Sequence, residues 1–235
     1  DRMVRLPSGL LTFLLILCAA RTAASSESLD MRRFLVLFAL LTATGGLAAE
    51  VPTVLVLGDS LSAGYGIDVD QSWTALLQSR LREQGYEHRV VNASISGETT
   101  EGGAERIGPA LDNFSPELVV LELGGNDGLR GFPPQRTREN LGKIIAASKA
   151  AGADVVLLGI RIPSNYGPRY TQAFESVFRD TAESHDVPWI EFFMDGIALD
   201  EELMQADGIH PNAKAQPLLL DNAWPIIAEA LGPAN

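Results

Sequence analysis

From residue 50 onward, short continuous apolar runs alternate with longer amphipathic stretches. Thr53-Val-Leu-Val-Leu57 is apolar throughout and runs into Gly58, the pattern of a strand buried on both faces. Ser72 to Gln84 follows with Trp73, Leu76, Leu77 and Leu81 at helical spacing and Gly85 as its stop. His88–Asn92 reads as a second strand and Thr99–Leu111 as a helix weakened by its glycines. Leu118–Leu123 is a third strand that runs into Gly124-Gly125, and Arg138–Ala151 a helix ended by Gly152. A fourth strand over Asp154–Ile160, a helix over Tyr170–Ser184, a fifth strand over Pro188–Phe193 and a terminal helix over Asn212–Leu231 complete the series. Five successive β-α units predict an α/β fold: a three-layer α/β/α sandwich with a five-stranded parallel sheet, in one domain over residues 49–235.

The first fifty residues break this pattern. Two apolar runs, Gly9–Ala20 and Phe34–Leu47, each fall short of the ~20 residues a spanning helix needs. The second reads as a secretory signal peptide: Met31-Arg32-Arg33 is the basic region, Phe34–Leu41 the apolar one, and Gly46-Leu47-Ala48 the small-residue cleavage site. Residues 1–48 are therefore expected to be a targeting segment, with Met31 as the true start, cleavage near Ala48, and the domain periplasmic or secreted. Leu17 before Cys18 argues against a lipid anchor, so no stable membrane anchor is expected.

Composition narrows the function. Of 235 residues, 46% are hydrophobic and 20% charged, which excludes collagen-like and disordered classes. The net charge is −12, and the five arginines of residues 1–49 place the acidity wholly in the domain. Such a surface repels phosphate backbones, so no nucleic-acid partner is expected. Cys18 is the only cysteine, and its position in the targeting segment leaves the domain without thiol or disulfide chemistry. The chain is expected to be a monomer.

In parallel sheets, sites form at the carboxyl ends of the strands. There the chain offers Gly58-Asp59-Ser60-Leu61, Ser96-Gly97, Gly124-Gly125-Asn126-Asp127, Arg161–Tyr166 and Asp207-Gly-Ile-His210. Ser60 reads either as a helix N-cap or as a nucleophile free at the sheet edge. His210 is the one histidine of three on that edge, and Asp207 can orient its ring or merely shape a turn. Asn126 could donate to an oxyanion or be a left-handed loop residue; Gly97 could offer a bare N–H or serve a turn. Leu129, Phe132, Pro163 and Tyr166 either line an apolar mouth or pack their loops.

Taken as an ordered set, these motifs resemble the SGNH (GDSL) hydrolase family, with Ser60, Gly97, Asn126 and His210 in its four named positions. The resemblance covers residues 51–233. It is closest to the periplasmic thioesterase, lysophospholipase and arylesterase branch across residues 57–65, 90–97, 123–132, 160–167 and 207–212. It implies a flavodoxin-like fold and hydrolysis of acyl or aryl esters and thioesters. Ser60, His210 and Asp207 would form the triad, and Gly97 and Asn126 the oxyanion hole. No cofactor and no metal are implied, and the partner is a small ester or thioester substrate. The alternatives are a carbohydrate acetyl-esterase of the same fold and a non-catalytic exported binding module. A metallophosphoesterase needs several histidines on this edge, where only His210 stands.

Overall fold

The computed structural model describes residues 51–234. The two N-terminal apolar runs and the expected cleavage near Ala48 lie outside the described residues. Strands β1 (Thr53–Gly58), β2 (Arg89–Asn92), β3 (Leu118–Glu122), β4 (Asp154–Leu158) and β5 (Trp189–Ile190) form one sheet. All pairs are parallel and the order is β2-β1-β3-β4-β5. The described helices are α1 (Ser60–Ala63), α2 (Trp73–Glu83), α3 (Thr100–Phe114), α4 (Gly125–Leu129), α5 (Pro134–Ala150), α6 (Pro168–His185) and α7 (Gln216–Leu231). The α/β class and the five-stranded parallel sheet are as the apolar runs predict.

The centre of the sheet is the driest part of the molecule. β1 and β3 are buried at every residue, and β4 at every residue after Asp154. Each fully buried leucine or valine there is worth ~1.5–3 kcal/mol of transfer free energy. α2 packs against α7, while α3, α5 and α6 pack in succession, so helices cover the sheet in two layers. Trp73 of α2 meets Phe193 edge-on at 5.3 Å, and Phe174 and Phe178 of α6 do the same at 5.6 Å.

Local chemistry moves several element bounds from where the pattern put them. α3 runs to Phe114 despite Gly102, Gly103, Gly108 and Pro109, and one of those glycines serves packing. A Cβ on Gly103 would stand 2.4 Å from Leu123 Cδ1, so a bare Cα lets the helix lie on the end of the sheet. α5 begins at Pro134, earlier than Arg138, because proline's fixed φ suits the first helical turn. β5 has only two residues rather than six: after Ile190 the chain leaves the regular ladder, and the Phe193 N–H returns to the Gly159 carbonyl at 2.8 Å. The terminal helix is preceded by a 3-10 turn over Ala213–Ala215, capped by the Asn212 side chain.

Strand order places the switch point between β1 and β3, where Gly58 and Glu122 are register partners. Both strands therefore deliver their following loops to the same crevice.

Candidate active site

Asp59 is the first residue after β1, and it decides what Ser60 does. Its carboxylate accepts from the Leu61 N–H at 3.0 Å, so Asp59, not Ser60, is the N-cap of α1. The cap reading of Ser60 is thereby replaced: it stands at the first helical position with its hydroxyl uncommitted to the helix end. That hydroxyl lies 2.9 Å from His210 Nε2.

His210 arrives from the loop before α7. Its Nδ1 is 2.7 Å from Asp207 Oδ2, while Asp207 Oδ1 accepts the backbone N–H groups of Ile209 at 2.9 Å and His210 at 3.0 Å. The His210 N–H, the His210 ring and the Ile209 N–H together pull the Asp207 carboxyl down to about 2, so it stays ionised. With Nδ1–H given to that carboxylate, Nε2 is left to accept from Ser60. The Tyr65 ring packs on the imidazole at 4.5 Å between centroids.

Asn126 is in the second position of α4, which removes its reading as a left-handed loop residue. The positive φ belongs instead to Gly124, at 123°. Asn126 Nδ2 donates to Asp59 Oδ2 at 3.0 Å, which uses one amide N–H and leaves the other. Gly97 is exposed with φ 80°, a conformation that favours glycine, and its carbonyl accepts from Arg130 Nη2 at 2.9 Å. The structure thus brings together two hydrogen-bonded groups, Asp207–His210–Ser60 and Asp59–Asn126, through the adjacency of Asp59 and Ser60, with Gly97 linked to Arg130, one turn beyond Asn126.

The residues expected at the mouth are tied into their loops. Tyr166 Oη donates to the Leu129 carbonyl at 2.7 Å and Tyr170 Oη to the Phe132 carbonyl at 2.7 Å. The Arg136 guanidinium lies 5.2 Å above the Phe132 ring. A groove of about 650 Å³ between α5 and α6 holds none of the candidate residues. Among the described residues, no group of three or more His, Cys, Asp or Glu is placed to hold a metal ion.

Two buried carboxyls support this edge, and the sequence reading gave neither a role. Glu122 ends β3 fully buried; its Oε2 accepts from Ser62 Oγ at 2.6 Å, and Oε1 has no partner. Burial, and then the neighbouring Asp59, hold Glu122 well above the usual carboxylate range. Burial also raises Asp59 to about 6 against the lowering pull of the Leu61 N–H and Asn126. Between the ordinary carboxylate range and about 6, the folded state therefore binds more protons than the unfolded one. Stability from this pair must fall as pH rises through that window. Asp207 has the opposite sign, but its window lies below the ordinary range. Urea midpoints of Glu122→Gln and wild type at about pH 5 and about pH 8 check this: the variant should lose less stability across the interval. Equal losses in both proteins would refute it.

A serine, an imidazole and a carboxylate hydrogen-bonded in series at the carboxyl edge of a parallel α/β/α sandwich is an arrangement of the serine hydrolase class. The chain belongs to the GDSL-like lipase/acylhydrolase family, whose profile matches residues 56–217. It is 50% identical over 183 residues to esterase TesA of Pseudomonas aeruginosa, covering 78% of this chain and 91% of that protein. It is 47% identical over 174 residues to thioesterase 1/protease 1/lysophospholipase L1 of Escherichia coli, covering 74% of this chain and 82% of that one. The crystal structure of the psychrotrophic esterase EstA from a Pseudoalteromonas species, inhibited by monoethylphosphonate, aligns with TM-score 0.73 and 44% identity. That alignment covers 76% of this chain and 98% of EstA. Among the described residues, no helix is long and apolar enough to cross a membrane.

Proposed function

We propose that the protein is a serine esterase that hydrolyses carboxylic esters and thioesters of acyl or aryl substrates. The observation that carries this reading is the series Asp207–His210–Ser60, with links of 2.7 and 2.9 Å. As Ser60 Oγ attacks the carbonyl carbon, its proton passes to His210 Nε2 and the carbonyl π pair becomes the oxyanion. The Ser60 and Gly97 N–H groups and the second N–H of Asn126 receive that charge. Collapse breaks the bond to the alcohol or thiol, which takes the proton from His210 and leaves an acyl group on Ser60. Water, deprotonated by His210, then releases the acid and restores Ser60. The esterase and thioesterase names of the relatives support the substrate class.

The test is turnover of p-nitrophenyl butyrate and octanoate, with an alkyl fluorophosphonate as covalent probe. The expected result is hydrolysis of at least one ester and a phosphonyl adduct on the Ser60 peptide. An adduct elsewhere, or turnover that survives full labelling of Ser60, overturns the reading. Turnover of sugar acetates alone would move it to the carbohydrate acetyl-esterase. Asn126→Ala should cost ~10²–10³ in kcat with the fold intact, as loss of one oxyanion donor does. Steady-state kinetics beside a thermal melt checks this, and a kcat within twofold of wild type would remove Asn126 from the role.

We propose too that residues 1–48 direct export to the periplasm or beyond, with the enzyme domain over 49–235. Mass spectrometry of the mature N-terminus tests this, and a chain that keeps residues 1–48 would sink it.

A further inference from the structure

The nucleophile and its base are 150 residues apart: Ser60 opens the one-turn helix α1, and His210 sits on irregular chain. A side chain outside the triad joins the two segments. Gln205 Nε2 donates to the Tyr65 carbonyl at 2.7 Å and to the Pro211 carbonyl at 3.0 Å. The Gln205 backbone N–H donates to the His210 carbonyl at 2.7 Å, and its carbonyl accepts the Gly208 N–H at 3.0 Å. Tyr65 in turn donates its N–H to the Ser60 carbonyl at 3.3 Å. These contacts close a ring. It runs from the Ser60 carbonyl through the Tyr65 peptide, the Gln205 amide and the Gln205 N–H to the His210 carbonyl, and returns through the imidazole to Ser60 Oγ.

The seat of the amide is built for it. A Cβ on Gly66 would fall 2.2 Å from Gln205 Oε1, so the carboxamide rests against bare backbone, at a residue whose φ of 74° also requires glycine. The Tyr65 ring packs against the imidazole at a 40° tilt, 4.5 Å between centroids.

We propose that Gln205 is a positioning residue for this reaction, holding the loop of Asp207 and His210 in register on the loop that follows Ser60. The inference rests on the functional reading above. Gln205 acts through His210. Without its amide, the Tyr65 and Pro211 carbonyls lose their shared donor and the base loop loses its tie to the nucleophile loop. The series Asp207–His210 survives, because its bonds lie within residues 207–210. The angle and distance from Nε2 to Ser60 Oγ do not. A misplacement of about 1 Å costs up to ~10² in rate, whereas substrate contacts made elsewhere are untouched.

The deciding variant is Gln205→Met, which keeps the volume against Gly66 and removes both amide donors; Gln205→Ala is its companion. At saturating p-nitrophenyl butyrate, both should lose ~10–100-fold in kcat, with KM changed by less than about twofold. The rate of Ser60 phosphonylation by an alkyl fluorophosphonate, measured on the folded fraction, should fall by the same factor, because it reports nucleophile activation without the ester's own contacts. A Gln205→Met protein with wild-type kcat and phosphonylation rate overturns the proposal. So does a loss of turnover fully matched by loss of folded protein in a thermal melt. The two readings fail separately: an active Ser60→Ala removes the esterase mechanism, while an inactive Ser60→Ala beside an unimpaired Gln205→Met removes only the role of Gln205.

Discussion

Ser60→Ala lowers kcat by ~10⁵–10⁶-fold and leaves the thermal midpoint where it was. The second half of that expectation follows from the cap. α1 is held at its start by the Asp59 carboxylate on the Leu61 N–H, and the Ser60 hydroxyl has no part in that bond. The lost oxygen belongs to the chemistry rather than to the helix. His210→Ala should cost nearly as much, and the double variant little more than either alone, because a nucleophile without its base and a base without its nucleophile are equally idle. Ester turnover with circular dichroism checks both parts. Penalties that add across the double variant would mean that Ser60 and His210 do not act as a unit.

Asp207→Asn is expected to lose ~10³–10⁴ in kcat, less than Ser60→Ala, with little change in fold. An asparagine amide keeps the shape and can keep the backbone N–H bonds of Ile209 and His210, but it no longer demands the imidazole proton at Nδ1. Where the amide donates to Nδ1 instead, the proton moves to Nε2, and Ser60 faces a donor. Because Asp207 is held ionised down to about 2, its own titration does not set the acid limb of activity. Asp59 lies nearer that limb: burial raises it to about 6, and its carboxylate accepts the Asn126 amide. Steady-state kinetics of Asp207→Asn beside a thermal melt checks the size of the loss. A kcat within tenfold of wild type would contradict it.

What was legible in the chain was whatever a local pattern can carry. Val54–Leu57, Leu118–Leu121 and Val155–Leu158 are continuous apolar runs, and only a strand covered on both faces wants them, so the sheet could be read directly. Ser60, Gly97, Asn126, Asp207 and His210 could be singled out because each follows a strand or precedes the last helix. The choice between cap and nucleophile could not be made from spacing. Asp59 and Ser60 are adjacent and both cap well, and only the observed bond to Leu61 separates them. Glu122 was hidden for the opposite reason: within Leu-Val-Val-Leu-Glu-Leu it looks like the polar end of a strand, whereas it is fully buried and answered by Ser62. The contact of Gln205 with Tyr65 spans 140 residues of sequence and has no local signature at all.

The placement of the two halves of the site has a consequence for when the molecule becomes an enzyme. The last strand, β5, ends at Ile190, so a chain stopped there already holds every strand of the sheet and the segment that bears Ser60. It holds no base. Asp207 and His210 come only afterwards, and the loop that carries them is anchored from behind by α7 lying on α2, where Gln216 Oε1 accepts the Trp73 N–H at 3.0 Å. On the mechanism proposed above, a growing or half-folded polypeptide would lack its base, and ester cleavage would date the moment at which the tail of the chain closes on its head.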